Sequence, residues 1–250
     1  MQLTEGVIVD SSIDLYDESI AVEALIPNTK EKTLEIFTEK NIYKKYITRI
    51  IKRIIDIIGS IFGIILLIPI TIVVGIANII SGDNGPIFYS HKRIGKNGKH
   101  FKMYKFRSMC VDADAKLKKL LQEDEIARKE WNDNRKLNND PRITKIGKFI
   151  RKTSLDEFPQ FINVLKGEMS LVGPRAVIDG EIEKFGILKD KVLSVKPGIT
   201  GYWAANGRSN TSYPERVVME AIYVNNFSIK QDIKILLKTV GAVIKMNGAA

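Results

Sequence analysis

Two adjacent acidic residues, Asp156 and Glu157, have the types and the surroundings from which phosphoryl chemistry could be built. They are followed by Pro159, and proline is tolerated in a helix only within the first turn. A helix should therefore begin within the few residues before Pro159 and end at Gly167, with the acidic pair at its N-terminus. The positive end of a helix favours an ionised carboxylate and can help to hold phosphates and Mg²⁺ beside it. An ionised Asp156 could then attack phosphorus.

The same residues also fit a purely structural role. Ser154 could cap the helix while Glu157 reaches back to it, which is the capping-box pattern of a serine followed three residues later by glutamate. Acidic side chains in the first turn are also favoured by the helix dipole alone. On these residues alone, both interpretations remain open.

Basic residues around the acidic pair favour the chemical interpretation. Guanidinium groups bind phosphate oxygens through paired hydrogen bonds, so several of them near two carboxylates would suit a diphosphate substrate. Each one alone could instead be a surface or lipid-headgroup contact. The candidate phosphate-binding residues are Lys105, Arg107, Arg142, Arg151 and Arg175.

An apolar segment must place these residues against a membrane. Residues 57–80 form 24 consecutive positions without a charge, about the length that a helix needs to cross the hydrocarbon core. Pro69 at its centre favours a kink, and basic clusters at 44–53 and 92–99 flank both sides. Because positive flanks tend to stay cytoplasmic, we expect a re-entrant hairpin. An ordinary spanning helix with a proline kink is the alternative.

The spacing of charged and apolar residues divides the rest of the chain into segments. Residues 1–43 hold nine acidic and three basic residues and form an acidic extension. Residues 1–30 of it are predicted to be mobile or weakly ordered, and a helical lead-in is predicted over 31–53. Apolar runs on both sides of Asn97-Gly98 predict a β-hairpin. Residues 112–137 predict one charged surface helix. Near the C-terminus, an apolar stripe beside lysines over 229–245 predicts an amphipathic helix, which could lie in the membrane interface or pack on the core.

Composition and net charge limit the kinds of molecule that the protein is expected to bind. The formal net charge is +10, and because residues 1–43 carry −6, residues 44–250 carry +16 and should favour an anionic partner. A single cysteine, Cys110, excludes an intrachain disulfide, and two histidines are too few for a zinc site. No motif that reads nucleic acid is present, so a nucleic-acid partner is not expected. The first residues lack the pattern of a cleavable secretory signal.

Several motifs in one order resemble those of the monotopic polyprenyl-phosphate phosphoglycosyl transferases, the bacterial enzymes that start capsule, exopolysaccharide and O-antigen synthesis. The resemblance covers about residues 48–245. It rests on the membrane segment with Pro69 and on the motifs Lys-Phe-Arg-Ser-Met at 105–109, Thr-Ser-Leu-Asp-Glu-Phe-Pro-Gln at 153–160, Met-Ser-Leu-Val-Gly-Pro-Arg at 169–175 and Lys-Pro-Gly-Ile-Thr-Gly at 196–201.

The resemblance implies an α+β, mostly helical monotopic membrane enzyme. Its parts would be an extension (1–43), a lead-in with a re-entrant membrane helix (44–86) and a cytoplasmic catalytic domain (87–250) with a small β-hairpin and interfacial amphipathic helices. The expected location is the cytoplasmic face of the inner membrane, in contact with membrane lipids. The sequence leaves open whether the chain forms a homo-oligomer.

The resemblance also implies a two-step reaction. Asp156 would attack the sugar-bearing phosphate of a UDP-sugar and release UMP, and Glu157 would assist undecaprenyl phosphate in displacing the aspartate. Both carboxylates would bind Mg²⁺, and Lys105, Arg151 and Arg175 would be the preferred phosphate contacts. Galactose or glucose is the expected sugar, from the likeness of residues 202–208 to the hexose-transferring branch.

Three positions depart from the family pattern. Ala176 follows Arg175 where the family often has proline, Ile68 precedes Pro69 where some members have serine, and Ala204 replaces a frequent glutamine. The first of these leaves the backbone around Arg175 without an expected constraint. The rival interpretation from another class is a non-catalytic, basic membrane-surface scaffold, in which Asp156 and Glu157 only cap a helix.

Overall fold

The computed structural model describes residues 42–134, 137, 139–206 and 211–244. The extension predicted for residues 1–43 thus lies outside the described residues except for its last two positions. Within them the chain is mostly helical, with two small two-stranded sheets, which confirms the α+β class and the β-hairpin.

The first element, α1, is a single helix that covers Ile42–Ile80 and runs through Pro69. Among the described helices, only this one is long and apolar enough to cross a membrane, and little of its most apolar part is buried in protein. Apolar side chains such as Ile58, Phe62, Ile65 and Val73 are mostly exposed. This surface is suited to lipid, while a turn back at Pro69 stays a prediction.

One face of α1 packs closely on the domain that follows. Gly59 and Gly63 lie one turn apart, and a β-carbon on them would come within 2.6 Å of Leu171 and 2.4 Å of Phe161. Asp56 accepts hydrogen bonds from the Ser170 hydroxyl and the Leu171 amide, each at 2.9 Å. The apolar helix is therefore built against the domain through matched small and polar residues, and the predicted boundary at residues 86–87 stays a prediction.

The β-hairpin consists of β1 (Phe88–Ile94) and β2 (His100–Phe106), which pair antiparallel. Asn97 and Gly98 both adopt positive φ, at 56° and 75°, in the turn between the strands. Asparagine and glycine are the residues that tolerate this conformation, so the Asn-Gly signal is confirmed. Strand β2 carries Lys105 near its end.

The charged region at 112–137 forms two helices, α2 (Ala113–Glu123) and α3 (Glu125–Asn134), so the prediction of one helix is wrong. Asp124 between them is extended, and its carboxylate accepts a hydrogen bond from the Ala127 amide at 2.9 Å. The break arises because an aspartate that can cap a new helix interrupts the old one.

The remaining elements complete the domain around the hairpin. Strands β3 and β4 pair parallel, and one of three apolar clusters joins them to the helices. In chain order these elements are α4 (Lys145–Lys152), α5 (Gln160–Lys166), β3 (Ser170–Val172), α6 (Lys189–Leu193), β4 (Gly198–Thr200), α7 (Tyr202–Asn206), α8 (Tyr213–Asn226) and α9 (Ile229–Ile244).

The C-terminal helix α9 is present as predicted. Its apolar stripe is divided: Ile235 is buried in the core, whereas Ile233, Leu237 and Val240 are about half exposed or more. Core packing therefore explains only part of this apolar stripe. The exposed residues favour the other prediction, that α9 lies in the membrane interface.

Candidate active site

The acidic pair lies on a short 3₁₀ turn, Leu155–Glu157, directly before α5. Pro159 is the N-cap of α5, so the helix begins after the proline rather than in the residues before it as predicted, and the acidic pair precedes the helix. The helix ends at Gly167, at φ 83°, as predicted. Ser154 adopts a left-handed conformation and its hydroxyl makes no capping hydrogen bond. The capping-box interpretation of Ser154 and Glu157 is therefore wrong, because Ser154 does not have the extended backbone that a cap requires.

Lys105 joins the two carboxylates. Its Nζ lies 3.3 Å from Asp156 Oδ2 and 2.9 Å from Glu157 Oε1. Strand β2 and the 3₁₀ turn are 51 residues apart in sequence, so tertiary packing alone brings these groups together. Asp156 is only 9 % exposed. Its negative charge is therefore largely shielded from water and is balanced mainly by the Lys105 ammonium.

Opposing effects set the protonation of this trio. Burial raises the pKa of the Asp156 carboxyl above its ordinary value, although the Lys105 ammonium acts to lower it. Burial would lower the pKa of Lys105, but the Glu157 and Asp156 carboxylates outweigh it and raise that pKa. Lys105 is therefore firmly cationic, and it is the principal group that favours an ionised Asp156.

Arg151 and Arg175 both lie near this centre. Arg151 Nε donates to the Ser108 hydroxyl at 2.8 Å, and its charge acts to lower the pKa of Asp156. Arg175 lines a pocket of about 120 Å³ together with Lys105 and Glu157. These arginines are thus near the carboxylates, as phosphate contacts would have to be.

The backbone around Arg175 is held without the proline that often follows it in the family. Its amide donates to Glu220 Oε1 at 3.0 Å, and the carbonyl of Pro174 accepts the Gly198 amide at 2.8 Å. On the other side, Val177 pairs with Ile94 of β1. Bridges to β4, α8 and β1 therefore supply the missing constraint.

Arg107 and Arg142 are engaged elsewhere. The Arg107 guanidinium forms a two-pronged ion pair with Asp83, at 2.8 and 3.0 Å. Arg142 forms a similar pair with Asp140, at 2.7 and 2.8 Å, and lies over the Trp131 ring. Both guanidinium groups are buried and held by protein partners, so their role as substrate contacts stays a prediction that this geometry does not favour.

A double-mutant cycle can separate bracing from substrate binding at Arg107. If the Asp83 pair braces the segment between α1 and the hairpin, Arg107→Lys and Asp83→Asn should each lower the free energy of unfolding by about 2 kcal/mol, because lysine cannot form the two-pronged pair and asparagine lacks the charge. The double variant should cost about as much as either single one. Chemical denaturation in detergent measures all three. Additive losses, or a KM effect of Arg107→Lys that Asp83→Asn lacks, would contradict a bracing role.

Sequence reasoning missed three residues that line the pocket: Arg93, Trp203 and Glu220. Glu220 is 1 % exposed, and burial raises its pKa to about 7. Burial and the Arg175 charge lower the pKa of Arg93 to about 10. Trp203 lies in the 202–208 stretch and Arg93 in the basic cluster at 92–99, but neither was assigned to the site. For Glu220 the available signal was a polar residue in the buried stripe of α8.

The donor set fits magnesium to a limited extent. The described residues contain no group of three or more side chains suited to hold a metal. Mg²⁺ often takes only one or two protein carboxylates and completes its coordination with water and substrate phosphates. The neighbouring Asp156 and Glu157 carboxylates match that requirement, although Lys105 now lies between them. A magnesium site would therefore need the substrate to supply further oxygens.

Comparisons with known proteins agree on one family. A family model described as bacterial sugar transferase matches residues 47–246. The chain is 46 % identical over 214 residues to a UDP-galactose-lipid carrier transferase of Erwinia amylovora, which covers 86 % of this chain and 44 % of that protein. It is 46 % identical over 210 residues to an undecaprenyl-phosphate galactose phosphotransferase of Salmonella typhimurium, covering 84 % and 44 %.

A shorter relative matches over most of its own length. The exopolysaccharide production protein ExoY of Sinorhizobium fredii is 41 % identical over 199 residues, covering 79 % of this chain and 87 % of that protein. The chain thus spans less than half of the two longer relatives and most of this one. Since the family model covers α1, the hairpin and the acidic pair alike, the chain belongs to the bacterial sugar transferase family.

Proposed function

We propose that this chain transfers hexose-1-phosphate from a UDP-sugar to undecaprenyl phosphate, giving undecaprenyl-diphospho-sugar and UMP. One observation carries the proposal: in a bacterial sugar transferase, Asp156 and Glu157 share the Lys105 ammonium at a pocket that Arg175 also lines. A carboxylate, a second carboxylate and cations are the groups that a two-step transfer of a phosphosugar requires.

In the first step, a carboxylate oxygen of Asp156 attacks the phosphorus that bears the sugar. The new Asp156–phosphorus bond forms as the bond to the bridging oxygen breaks, and that oxygen leaves with UMP. Asp156 must be ionised for this attack, and because burial raises its pKa, activity should fall on the acidic side of the pH profile. Lys105 supports the ionised form.

In the second step, an oxygen of undecaprenyl phosphate attacks the same phosphorus and displaces the aspartate. Glu157 is next to Asp156 and partly exposed, so it can accept a proton from the lipid phosphate or hold that phosphate in line. The phosphosugar leaves on the lipid, and Asp156 returns to its carboxylate form.

The cationic side chains of the site are suited to neutralise different parts of the substrate's negative charge. Lys105 and Arg175 are suited to the diphosphate, and Arg151 to charge that develops near Asp156. When bound by Asp156 and Glu157, Mg²⁺ would supply further neutralisation of the diphosphate. Galactose is the first candidate sugar because two relatives carry it in their names, with glucose as the second.

The exposed apolar surface of α1 supports a location in the inner membrane. We infer that α1 turns back at Pro69 and that both flanks stay at the cytoplasmic face, which keeps the site with the nucleotide sugar. Single cysteines placed at Ser12 and Asn247, in a background without Cys110, should resist a membrane-impermeant reagent applied to intact cells. Labelling of either cysteine would contradict the hairpin.

The assay for the function uses the purified chain, magnesium, undecaprenyl phosphate and a panel of UDP-sugars. We expect release of UMP and a lipid-linked diphospho-sugar with at least one hexose, as the first step of a capsule, exopolysaccharide or O-antigen pathway. Failure to release UMP with every sugar would contradict the proposal.

A further inference from the structure

Glu220 lines the pocket, and its two carboxylate oxygens differ in their hydrogen bonding. Its Oε1 accepts the Arg175 amide, which fixes the orientation of the carboxylate. Its Oε2 is fully buried and has no hydrogen-bond partner among the residues that the structure describes. Leaving a buried carboxylate oxygen unpaired is costly. The Arg216 guanidinium, one turn earlier on α8, acts on the charge of Glu220, but no donor among the described residues reaches Oε2, so a ligand hydroxyl would satisfy it.

Two glycines of the pocket lie beside this oxygen. The backbones of Gly173 and Gly201 approach so closely that a β-carbon on Gly201 would lie 2.2 Å from the Gly173 carbonyl oxygen. The same position lies 3.9 Å from Glu220 Oε2, and both glycines line the pocket. The carboxylate is therefore oriented by the Arg175 amide and lies beside the glycines that follow β3 and β4.

The same wall offers a donor and an aromatic face. Arg93 Nε is also buried without a partner among the described residues, while Nη1 of that side chain donates to the Ala176 carbonyl at 3.2 Å. Trp203 lines the pocket, and its indole is fixed by a hydrogen bond to Thr211 at 2.7 Å. An acceptor, a donor and an aromatic ring thus share one pocket.

Among the parts of a nucleotide sugar, the hexose fits this wall best. The diphosphate of a nucleotide sugar has no proton to donate to Oε2, and uracil offers a single N–H. Hexose hydroxyls both donate and accept, and the C–H face of the ring can lie against an aromatic side chain. We propose that Glu220, together with Arg93, binds hydroxyl groups of the transferred hexose and contributes to sugar selection; this rests on the proposed function.

The test measures binding without turnover. In the Asp156→Asn background, calorimetry compares the affinities for UMP and for the UDP-hexose that the wild-type chain turns over best. Glu220→Gln keeps an oxygen for the Arg175 amide but places an NH₂ group where Oε2 was. We expect it to weaken UDP-hexose binding about ten- to hundred-fold and to leave UMP binding unchanged, which also shows that the variant is folded.

A series of UDP-hexoses that each lack one hydroxyl identifies the contact. One analogue should bind with the same affinity before and after Glu220→Gln, because the hydroxyl that donates to the carboxylate is already missing from it. Glu215→Gln is the matched control, since Glu215 lies on α8 in an exposed capping box. It should change neither affinity.

The outcomes are distinct. Equal weakening of UMP and UDP-hexose by Glu220→Gln would overturn the proposal and indicate a contact to the nucleotide, and no change in either affinity would overturn it outright. If the wild-type chain releases no UMP with any sugar, the proposed function fails, whatever the Glu220 variants bind.

Discussion

Asp156→Asn is expected to reduce UMP release by about 10⁴-fold or more, because an amide cannot attack phosphorus in place of the carboxylate. The change preserves side-chain size, so the fold should persist. UMP release from UDP-hexose, followed in a single turnover without acceptor lipid, measures the first step alone.

Glu157→Gln separates the two carboxylates. If Glu157 assists only the lipid phosphate, this variant should still release about one equivalent of UMP without the lipid and should then turn over slowly when the lipid is added. Asp114→Asn, an exposed acid on α2, is the control and should be unaffected. A normal rate for Asp156→Asn would favour the non-catalytic scaffold instead.

Removing the Lys105 charge should have the second largest effect. Lys105→Met leaves two neighbouring carboxylates without the ammonium that lies 2.9 and 3.3 Å from them. The loss of one charge-stabilising group next to a transferred phosphoryl group costs about 10²- to 10³-fold in kcat. Steady-state UMP release measures the loss.

Lys105→Met should also shift the pH dependence of activity in a defined direction. Lys105 lowers the pKa of Asp156, so its removal should raise that pKa further and move the acid limb of kcat/KM to higher pH. Lys102→Met removes an exposed charge from the same strand and should leave the profile in place. A Lys105→Met profile with an unmoved acid limb would contradict the coupling of Lys105 to Asp156.

Local signals predicted those parts of the fold that local chemistry determines. The Asn97-Gly98 pair requires positive φ, and the hairpin follows from it. Pro159 and Gly167 limit α5 at its two ends, because proline is favoured where a helix starts and the glycine ends this helix in the left-handed conformation. These features depend on a few neighbouring residues, which a single sequence contains.

Contacts between side chains that are far apart in the chain could not be predicted from the sequence. The serine-to-glutamate spacing of a capping box occurs at both Ser154 and Ser212, but only Ser212 forms one, with Glu215. At the first position Glu157 is instead held by Lys105, from a strand 52 residues away. The competition between a cap and a distant ammonium is decided by tertiary packing.

The candidate arginines make the same point. Arg107 and Arg175 both looked like phosphate contacts by type, yet Asp83 occupies the first, whereas the second lines the pocket. Glu220 had no motif of its own, and its importance arises from burial beside Arg175. Which charges are already paired can be learned only from the folded chain.

The central claim is that Asp156 carries the phosphosugar between the two steps. The most direct measurement is mass spectrometry of the chain after incubation with its UDP-hexose and acid quench, without undecaprenyl phosphate. We predict one hexose phosphate on the peptide that contains Asp156, lost on addition of the lipid and absent from Asp156→Asn. UMP release with the phosphosugar on another residue, or with no adduct and direct transfer to the lipid, would contradict the account.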